Sequence, residues 1–354
     1  MRILLVKTSS LGDVIHNLPV VTDLRKNFPQ ALIDWVVEES FADIPRLHPG
    51  VHAVLPVAWR RWRKSLYMRS TWLEMCAFRH RIRQENYDLV IDTQGLLKSA
   101  LIAGLAHGKQ CGLSRASARE PLAACCYEAT FTVSPALHAV TRNRQLVAQA
   151  AGYALHDSPD YGLAIPPSAT ARRAFFAQPP CSASTAKRAG FFPAPSCCAG
   201  GSSVASPAPS IAGNKVMLLT ATSRDDKLWP EENWVVLGRA LYAQGLRCLL
   251  PTSFVLPEQA RTARLTQAIP DAKTLPPLNL HELADIMAGM HMVIGLDTGL
   301  THLAAALQRP VIALFCASDP AENGVLAAHN AINLGARGAP PQVADVLATV
   351  QSLL

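Results

Sequence analysis

Short apolar runs alternate with amphipathic stretches along most of the chain. A continuous apolar run of about four to eight residues is typical of a strand that is buried on both faces, whereas apolar residues that recur about every three or four positions indicate a helix. Strands that alternate with helices in this way form βα units, which assemble into a mainly parallel sheet. The pattern therefore predicts an α/β protein.

In the first half of the chain, the pattern predicts strands at residues 3–7, 32–37, 54–57 and 89–92. The helices predicted between and after these strands cover residues 14–26, 72–85, 97–105 and 138–151. In the second half, the predicted strands are residues 216–220, 247–250, 292–295 and 311–315. The predicted helices there are residues 231–244, 257–268, 281–290, 300–307 and 343–353. Each half is thus predicted to be a Rossmann-like layer, and no internal sequence repeat relates the two.

The composition changes between the two halves, where residues 165–214 are rich in Ala, Ser, Pro and Gly. Such a segment cannot bury enough apolar surface to offset the entropy of ordering it. The chain of 354 residues also exceeds the length of about 250–300 residues at which a single core usually stops growing. We therefore expect a first domain over 1–165, a linker or surface insertion over 166–214, and a second domain over 215–354.

The overall composition is that of a globular protein, with 49% hydrophobic and 17% charged residues. No apolar run approaches the ~20 residues of a membrane-spanning helix, and the four apolar residues before Lys7 are too few for a signal peptide. The nine cysteines have no spacing that suggests paired zinc ligands, so free thiols in a reducing compartment are expected. These features favour a cytoplasmic location.

Positive charge is concentrated between Arg60 and Arg83, where seven arginines occur in a chain of formal net charge +7. Within this region, the run Trp59-Arg-Arg-Trp-Arg-Lys64 could bind carboxylates or phosphates through arginine forks, although a solvated charged loop is an equally good interpretation. An anionic membrane surface is also compatible with the charge. One short patch without a recognised nucleic-acid-binding fold is weak support for such a partner, and no nucleic acid is expected.

The first candidate site is the segment Lys7-Thr-Ser-Ser-Leu-Gly-Asp13, which runs from the first strand into a helix. Small residues such as Ser10 and Gly12 let the backbone approach a ligand at the helix N-terminus, where amide groups favour oxyanions. Asp13 fits two compatible roles. It is a suitable N-cap for the helix, and it is also a carboxylate at the sheet edge where such folds place catalysis.

The second half of the chain offers two further candidate segments. After the strand at 216–220, the hydroxyl groups of Thr222 and Ser223 and the cation of Lys227 look like half of a diphosphate clamp. In residues 293–302, a buried strand ends near Asp297 and a helix follows, so the amide groups there would form an anion nest while the carboxylate accepts sugar hydroxyl hydrogens. A capped strand–turn–helix without a ligand is the alternative, and a single His302 is more often structural than catalytic.

Several segments of the sequence match one known family. They include Lys-Thr-Ser-Ser-Leu-Gly-Asp at 7–13 and Asp-Thr-Gly-Leu-Thr-His at 297–302, and the others are residues 34–39, 60–64, 87–99, 118–122 and 224–232. Together these segments span both halves and resemble the lipopolysaccharide heptosyltransferases, the type I enzymes most closely. The resemblance implies a GT-B architecture, in which two Rossmann-like domains with parallel sheets face each other and the C-terminal domain binds most of the donor.

The resemblance also implies a reaction. It is the transfer of L-glycero-D-manno-heptose from ADP-heptose to the Kdo of Kdo-lipid A, with inversion, during synthesis of the lipopolysaccharide inner core. Neither a cofactor nor an essential metal is implied. The protein would work at the cytoplasmic face of the inner membrane, in peripheral contact with that anionic surface.

By the same resemblance, Asp13 would be the general base that deprotonates the acceptor hydroxyl, and Lys227 would offset charge on the departing diphosphate. Asp297 would hold the heptose. Glu258 would contact the adenosine ribose, although Thr-Ser-Phe at 252–254 replaces the Trp-Gly pair that is usual in the family. The remaining donor contacts would come from Thr222, Ser223, Thr298, Gly299, Leu300 and His302. The acceptor would be bound by Ser10, Gly12, Arg60, Arg61, Arg63, Lys64 and Arg119.

Three alternatives remain at this point. The type II heptosyltransferases share the architecture, and residues 34–39 and 59–64 favour type I over type II. A nucleotide-sugar epimerase on the same architecture would need a second acid/base group facing the sugar and would not need the basic run at 60–64. A non-catalytic protein that binds nucleic acid or anionic lipid would leave Asp13 and Lys227 without a role.

Overall fold

The computed structural model describes residues 1–164, 214–222, 224–326 and 330–354. Within these ranges the chain forms two parallel six-stranded sheets, one from each half, with helices packed against them. The predicted α/β class and GT-B arrangement of two Rossmann-like halves are confirmed. The predicted linker or insertion at 166–214 lies outside the described residues except for Asn214, and Ser223 lies outside them as well.

The first sheet has the strand order β3-β2-β1-β4-β5-β6, and all neighbouring strands are parallel. Strands β1 to β6 are Arg2–Val6, Leu32–Glu38, Ala53–Val57, Asn86–Asp92, His107–Leu113 and Ala129–Phe131. Helices α1 to α7 are Leu11–Ile15, Leu18–Asn27, Asp43–Arg46, Trp59–Trp62, Arg69–Ile82, Leu97–Ala103 and Ala139–Ala151. Short 3-10 turns occur at Glu39–Phe41 and Pro121–Cys126.

Alternate side chains of β1 point to opposite faces of this sheet, as they do in any strand. Ile3 and Leu5 join a core that includes residues of α2 and α7, whereas Leu4 and Val6 join a core with residues of α4, α5 and α6. Helices α4 to α6 therefore cover one face of the first sheet, and α2 and α7 cover the other.

The second sheet has the order β12-β11-β10-β7-β8-β9 and is again parallel throughout. Strands β7 to β12 are Lys215–Leu219, Arg247–Pro251, Lys273–Leu275, Met292–Leu296, Val311–Phe315 and Ala331–Gly335. Helices α8 to α13 are Glu231–Ala243, Leu256–Ala268, Leu280–Ala288, Gly299–Ala306, Pro320–Asn323 and Val343–Leu353, and a 3-10 turn covers Asp225–Lys227. None of the helices in the described ranges is both long and apolar enough to cross a bilayer.

The structure departs from the predicted elements at one divided helix, at four strands and at the short helices α3, α4 and α12, which were not predicted. The helix predicted at 14–26 is two helices, because Pro19 lies in the first turn of α2 and a proline cannot continue a preceding helix. Strands β5, β6, β9 and β12 were not predicted. β9 has only three residues, and β5 carries Lys109 and Gln110 in its centre, which obscures the apolar pattern.

The two halves meet where α1 of the first packs on α11 of the second. Gly299, the first residue of α11, lies directly against the side chain of Leu11, so that a Cβ atom there would be 2.5 Å from the Leu11 Cγ. Gly12 faces the same contact, but a Cβ there would find its nearest neighbour, the His302 Cδ2, at 3.6 Å. Only the glycine at 299 is therefore required for the close approach of the two helices.

Gly299→Ala is expected to lower the free energy of unfolding by about 1–3 kcal/mol, because an added methyl group that meets the base of a packed side chain forces a shift. Thermal unfolding of the purified protein measures this effect. Gly12→Ala is the matched control, and its melting temperature should stay close to that of the wild type. Equal melting temperatures for the two variants would contradict the packing described here.

Candidate active site

The predicted catalytic carboxylate, Asp13, is the third residue of helix α1, just beyond the carboxyl end of β1. Ser10 is the N-cap of that helix, and its backbone N–H and Oγ both donate to the Oδ2 atom of Asp13, at 2.7 and 3.0 Å. The prediction that Asp13 is the N-cap is wrong, because Ser10 holds that position. Asp13 lies at the third position of the helix and accepts from the Ser10 backbone N–H, as in a capping box. The Oδ1 atom accepts no hydrogen bond within the described residues and remains available to a ligand.

A cavity of about 440 Å³ opens beside Asp13. Cations dominate its charged lining, which includes Lys7, Arg119 and Arg142, and Asn323 of the second half also contributes to it. Burial lowers the pKa of Lys7, while Asp13 and the buried Asp92 act in the opposite direction. The cavity is therefore suited to an anionic ligand whose hydroxyl group lies near a carboxylate.

The loop between β1 and α1 is held by the side chain of Gln94, which follows β4. Its Oε1 atom accepts from the backbone N–H groups of Thr8 and Ser9, at 2.7 and 3.2 Å, and its Nε2 atom donates to the Ser9 carbonyl oxygen at 2.5 Å. Lys98 also donates to the Ser9 Oγ at 3.0 Å. Lys7 donates to the backbone oxygen of Thr93 at 2.9 Å, so both ends of the loop are tied to the segment after β4. This bonding fixes the position from which Asp13 faces the cavity.

On the second half, the predicted donor-side groups Lys227 and Asp297 form an ion pair of 2.5 Å between Nζ and Oδ2. The Ser318 hydroxyl donates to the same carboxylate oxygen at 2.5 Å, and the His302 Nε2 lies 3.7 Å from Oδ1. Burial acts to raise the pKa of Asp297. Its contacts with His302, Lys227 and Ser318 outweigh burial and hold the pKa well below the usual range. Asp297 is thus a fixed anion that positions a cation and a hydroxyl group.

Helix α11 begins immediately after this carboxylate, with Thr298 as its N-cap. The first amide groups of a helix have no partner within it, so those of Gly299 and Leu300 are free of intrahelical bonds and lie at the positive end of an eight-residue helix. Thr222 is half-buried beyond the end of the neighbouring strand β7. Hydroxyl, amide and ammonium donors are therefore gathered at one edge of the second sheet, as an oxyanion site requires.

A chain of histidines joins the two halves of the site. His16 Nε2, on the first half, lies 3.2 Å from His302 Nδ1, on the second, and His138 Nε2 lies 2.9 Å from the carbonyl oxygen of Gly324. Burial, followed by the repulsion from His302 and His138, holds the pKa of His16 well below its usual value. His302 thus contacts both Asp297 and α1, so it links the donor-side carboxylate to the helix that carries Asp13.

Residues 75–347 match glycosyltransferase family 9 (heptosyltransferase). The chain belongs to this family. Lipopolysaccharide heptosyltransferase 1 of Escherichia coli K12 is 39% identical over 322 residues, which are 90% of this chain and 89% of that protein. The enzyme of the same name from Pseudomonas aeruginosa is 40% identical over 327 residues, or 92% of this chain and 81% of that one.

The fold of this family 9 glycosyltransferase is also that of solved relatives. The structure of E. coli heptosyltransferase WaaC with ADP gives a TM-score of 0.83 at 36% identity, with all of both chains covered. The structure of that protein with ADP-2-deoxy-2-fluoro heptose gives a TM-score of 0.78 over the same extent.

In the basic run of this glycosyltransferase, residues Trp59–Trp62 form a short helix, α4, whereas Arg63 and Lys64 lie in the turn that follows it. The Arg61 guanidinium is paired with Glu39 and Glu74, whose hydrogen bonds raise its pKa. The Arg60 guanidinium lies over the ring of Phe41, 5.0 Å from its centroid. Arg63 and Lys64 are exposed and have no ion pair within the described residues. The four predicted acceptor cations are therefore not equivalent, and Arg61 is already neutralised.

Glu258 lies in the first turn of α9, which follows β8 at the same edge of the second sheet. The Ser253 hydroxyl donates to its Oε2 atom, and the same hydroxyl accepts from the Val255 N–H at 3.1 Å. Ser253, in the segment between β8 and α9, thus anchors this carboxylate. No contact between Glu258 and the Lys227–Asp297 pair is present.

Sequence reasoning missed several residues that the structure brings to the site, namely Gln94, Ser117, Arg142, Asn143 and Ser318. Gln94 and Ser318 follow the carboxyl ends of β4 and β11, which is the signal that could have identified them. Arg142 lies within helix α7, and nothing in its sequence context marks it. In the described part of this glycosyltransferase, no group of three or more His, Cys, Asp or Glu side chains is placed to hold a metal ion.

Proposed function

We propose that the protein transfers L-glycero-D-manno-heptose from ADP-heptose to the Kdo of Kdo-lipid A. One observation carries this proposal: the carboxylate of Asp13 faces a cation-lined cavity, and the helix that carries it, α1, packs on α11, the helix that begins directly after the Asp297 carboxylate paired with Lys227. That arrangement sets a base on one side of a reacting carbon and a charged clamp for the leaving group on the other. The two heptosyltransferase 1 relatives and the ADP-bound WaaC structures support the identity of the donor and acceptor.

The reaction follows from the charges that it creates. The acceptor hydroxyl oxygen bonds to the anomeric carbon of the heptose while the bond from that carbon to the phosphate oxygen breaks. The proton of the hydroxyl passes to Asp13, and ADP departs with the electron pair of the broken bond. A positioned base typically contributes about 10²–10⁴-fold to such a step, and fixed donors stabilise the charge that gathers on the leaving group.

Lys227 would change partners during this cycle. Its ammonium group is held by Asp297, with Ser318 on the same oxygen. A diphosphate that enters at the N-terminus of α11 would take up part of this ammonium charge. Asp297 would then be free to accept hydrogen bonds from the heptose hydroxyls. Thr222, Thr298, Gly299 and Leu300 would supply the remaining donors, as would Ser223.

The acceptor would occupy the cavity beside Asp13. Kdo carries a carboxylate, and the guanidinium group of Arg119 can bind a carboxylate through two parallel hydrogen bonds. Ser10 and Gly12 would contact the sugar from the α1 side. Because the rest of the acceptor is a lipid, we propose that the protein makes peripheral contact with the cytoplasmic face of the inner membrane.

An epimerase on the same fold is less well supported. That reaction would need a second acid/base group that faces the same sugar from the donor side. Asp297 is the carboxylate that pairs with Lys227. Burial acts to raise its pKa, but the contacts with His302, Lys227 and Ser318 outweigh burial and hold the pKa well below the usual range, which makes Asp297 a poor proton acceptor. The cationic lining of the acceptor cavity would also have no purpose in a reaction without an acceptor.

The double replacement Arg60→Gln and Arg63→Gln is expected to raise the KM for Kdo-lipid A at least about tenfold, because hydrogen bonds between charged groups contribute roughly 1.5–3 kcal/mol each. The Kd for ADP should change less than about twofold. Arg61→Gln is the control, since its guanidinium is committed to Glu39 and Glu74. Equal losses of acceptor and ADP binding in the double variant would show that α4 is structural.

The proposed reaction is tested by incubating the purified protein with ADP-heptose and two acceptors in parallel. One acceptor is Kdo-lipid A, and the other is the same lipid with one heptose already attached. We expect transfer to the first and little or none to the second. Transfer only to the heptosylated lipid would favour a type II enzyme, and no transfer to either, with ADP bound normally, would refute the proposal.

A further inference from the structure

Outside the cavity, the first half exposes a group of large apolar side chains that the proposed reaction does not use. We define the α5–α6 surface by Leu66, Tyr67, Trp72, Leu73, Leu97 and Leu101. Tyr67 is 87% exposed, Leu73 is 61% exposed, and Trp72 and Leu101 are each more than half exposed. Such an exposed apolar patch typically marks a contact site.

These side chains lie on one layer of the structure. Helices α5 and α6 cover the same face of the first sheet, and Arg83, at the end of α5, donates from Nε to the carbonyl oxygen of Leu105, just beyond α6, at 3.0 Å. Trp72 donates from Nε1 to the Leu66 carbonyl oxygen at 2.8 Å, which ties the loop before α5 to the first turn of the helix. Helices α5 and α6 therefore lie on the same face of the first sheet and are joined at their C-terminal ends.

This surface also adjoins the acceptor cations. Helix α5 comes after the carboxyl end of β3 in the chain, and α6 comes after the carboxyl end of β4. Both helices therefore begin at the sheet edge that bears the cavity. Arg63 and Lys64 precede the loop that holds Tyr67, and they are exposed. The apolar side chains thus lie beside the exposed cations Arg63 and Lys64, at the sheet edge that bears the cavity.

The combination of exposed apolar and basic side chains indicates the chemistry of a partner. Tryptophan and tyrosine favour the boundary between acyl chains and headgroups, leucine favours the acyl region, and arginine and lysine favour anionic phosphates. The arginines of α5 continue the positive charge along the helix as far as Arg83. A protein partner would need an apolar patch and acidic groups at matching positions. An anionic bilayer offers both an apolar interior and negatively charged headgroups.

We propose that the α5–α6 surface docks on an anionic bilayer, with Tyr67, Trp72 and Leu73 inserted at the headgroup boundary and the basic side chains on lipid phosphates. The proposal rests on the proposed function, since a lipid-linked acceptor gives the protein a reason to reach a membrane. It names the surface that makes the contact. Docking in this orientation brings the edge that bears Asp13 and Arg63 to the bilayer, where the sugars of the acceptor project.

The test is co-sedimentation of the full chain with vesicles of phosphatidylcholine alone and of phosphatidylcholine with phosphatidylglycerol. We expect binding to the anionic vesicles that weakens as salt is added. Trp72→Ser with Leu73→Ser should lower the partition coefficient at least about tenfold, in proportion to the apolar area removed. Tyr67→Ser alone should also lower the partition coefficient, and it should not affect folding because the Tyr67 side chain is 87% exposed. The matched control is Val236→Ser with Tyr242→Ser, two exposed apolar residues of α8, which should bind within about twofold of the wild type.

Unchanged vesicle binding by the folded Trp72 and Leu73 variant and by the Tyr67 variant would overturn the proposal. So would sedimentation velocity that shows a wild-type dimer and monomeric variants, because the surface would then join two copies of the chain. Vesicle binding requires no turnover, so its result stands whether or not heptose transfer is detected. With a deacylated acceptor in free solution, the surface variants should retain the wild-type rate.

Discussion

Asp13→Asn is expected to lower the turnover number for heptose transfer by about 10²–10⁴-fold, the usual contribution of a general base. Asparagine has nearly the same shape, and its side-chain oxygen can still accept the two hydrogen bonds from Ser10. The loop between β1 and α1 should therefore keep its position. What the amide cannot do is take the proton of the acceptor hydroxyl.

Steady-state rates and the affinity for ADP, measured on the same preparation, separate this effect from misfolding. We expect the Kd for ADP to stay within about twofold of the wild type. Ser10→Ala serves as a graded control, since it removes one of the two donors to Asp13 but leaves the carboxylate, and its loss of rate should be much smaller. Turnover of Asp13→Asn within about tenfold of the wild type would rule out this carboxylate as the base.

Lys227→Met is expected to lower the turnover number by about 10²–10³-fold, the effect of removing one fixed donor from a developing anion. It should also weaken ADP binding, because the ammonium group would act on the diphosphate before and after the reaction. The same change leaves Asp297 buried without its cation, so that the pKa of that carboxyl should rise from its depressed value. Loss of rate and loss of stability are therefore expected together.

Two companion variants separate these effects. Lys227→Met with Asp297→Asn removes the stranded charge and should recover the melting temperature without recovering the rate. Lys227→Arg retains a cation and should keep more activity than the methionine variant. If the double variant regained both stability and turnover, Lys227 would be only a structural partner of Asp297.

The α/β class, the two-layer arrangement and most buried strands could be predicted because their apolar runs are continuous. β11, at Val311–Phe315, and helix α13, at Val343–Leu353, agree with the prediction at both ends. The short strands β6 and β9, of three residues each, were missed because they carry too few residues to show a period. The break between α1 and α2 depended on Pro19, which the apolar pattern alone does not reveal.

The candidate site likewise has a part that local sequence could predict and a part that it could not. Asp13, Lys227 and Asp297 could be predicted because each follows closely on a strand of a parallel sheet, where a local motif is visible. The pairing of Lys227 with Asp297 joins residues 70 positions apart, and the contact of His16 with His302 joins residues 286 positions apart. Contacts of this range depend on how the two sheets face each other. The neutralisation of Arg61 likewise depends on tertiary packing, because Glu39 lies in a 3-10 turn and Glu74 lies in α5.

The central claim is a single displacement, with Asp13 on one side of the anomeric carbon and the Lys227–Asp297 pair on the leaving-group side. The most direct test is the anomeric configuration of the heptose in the isolated product, determined by NMR and compared with that of the ADP-heptose consumed. The account predicts an inverted configuration and one ADP released for each heptose transferred. Retention of configuration would contradict it, because a second displacement would then be needed.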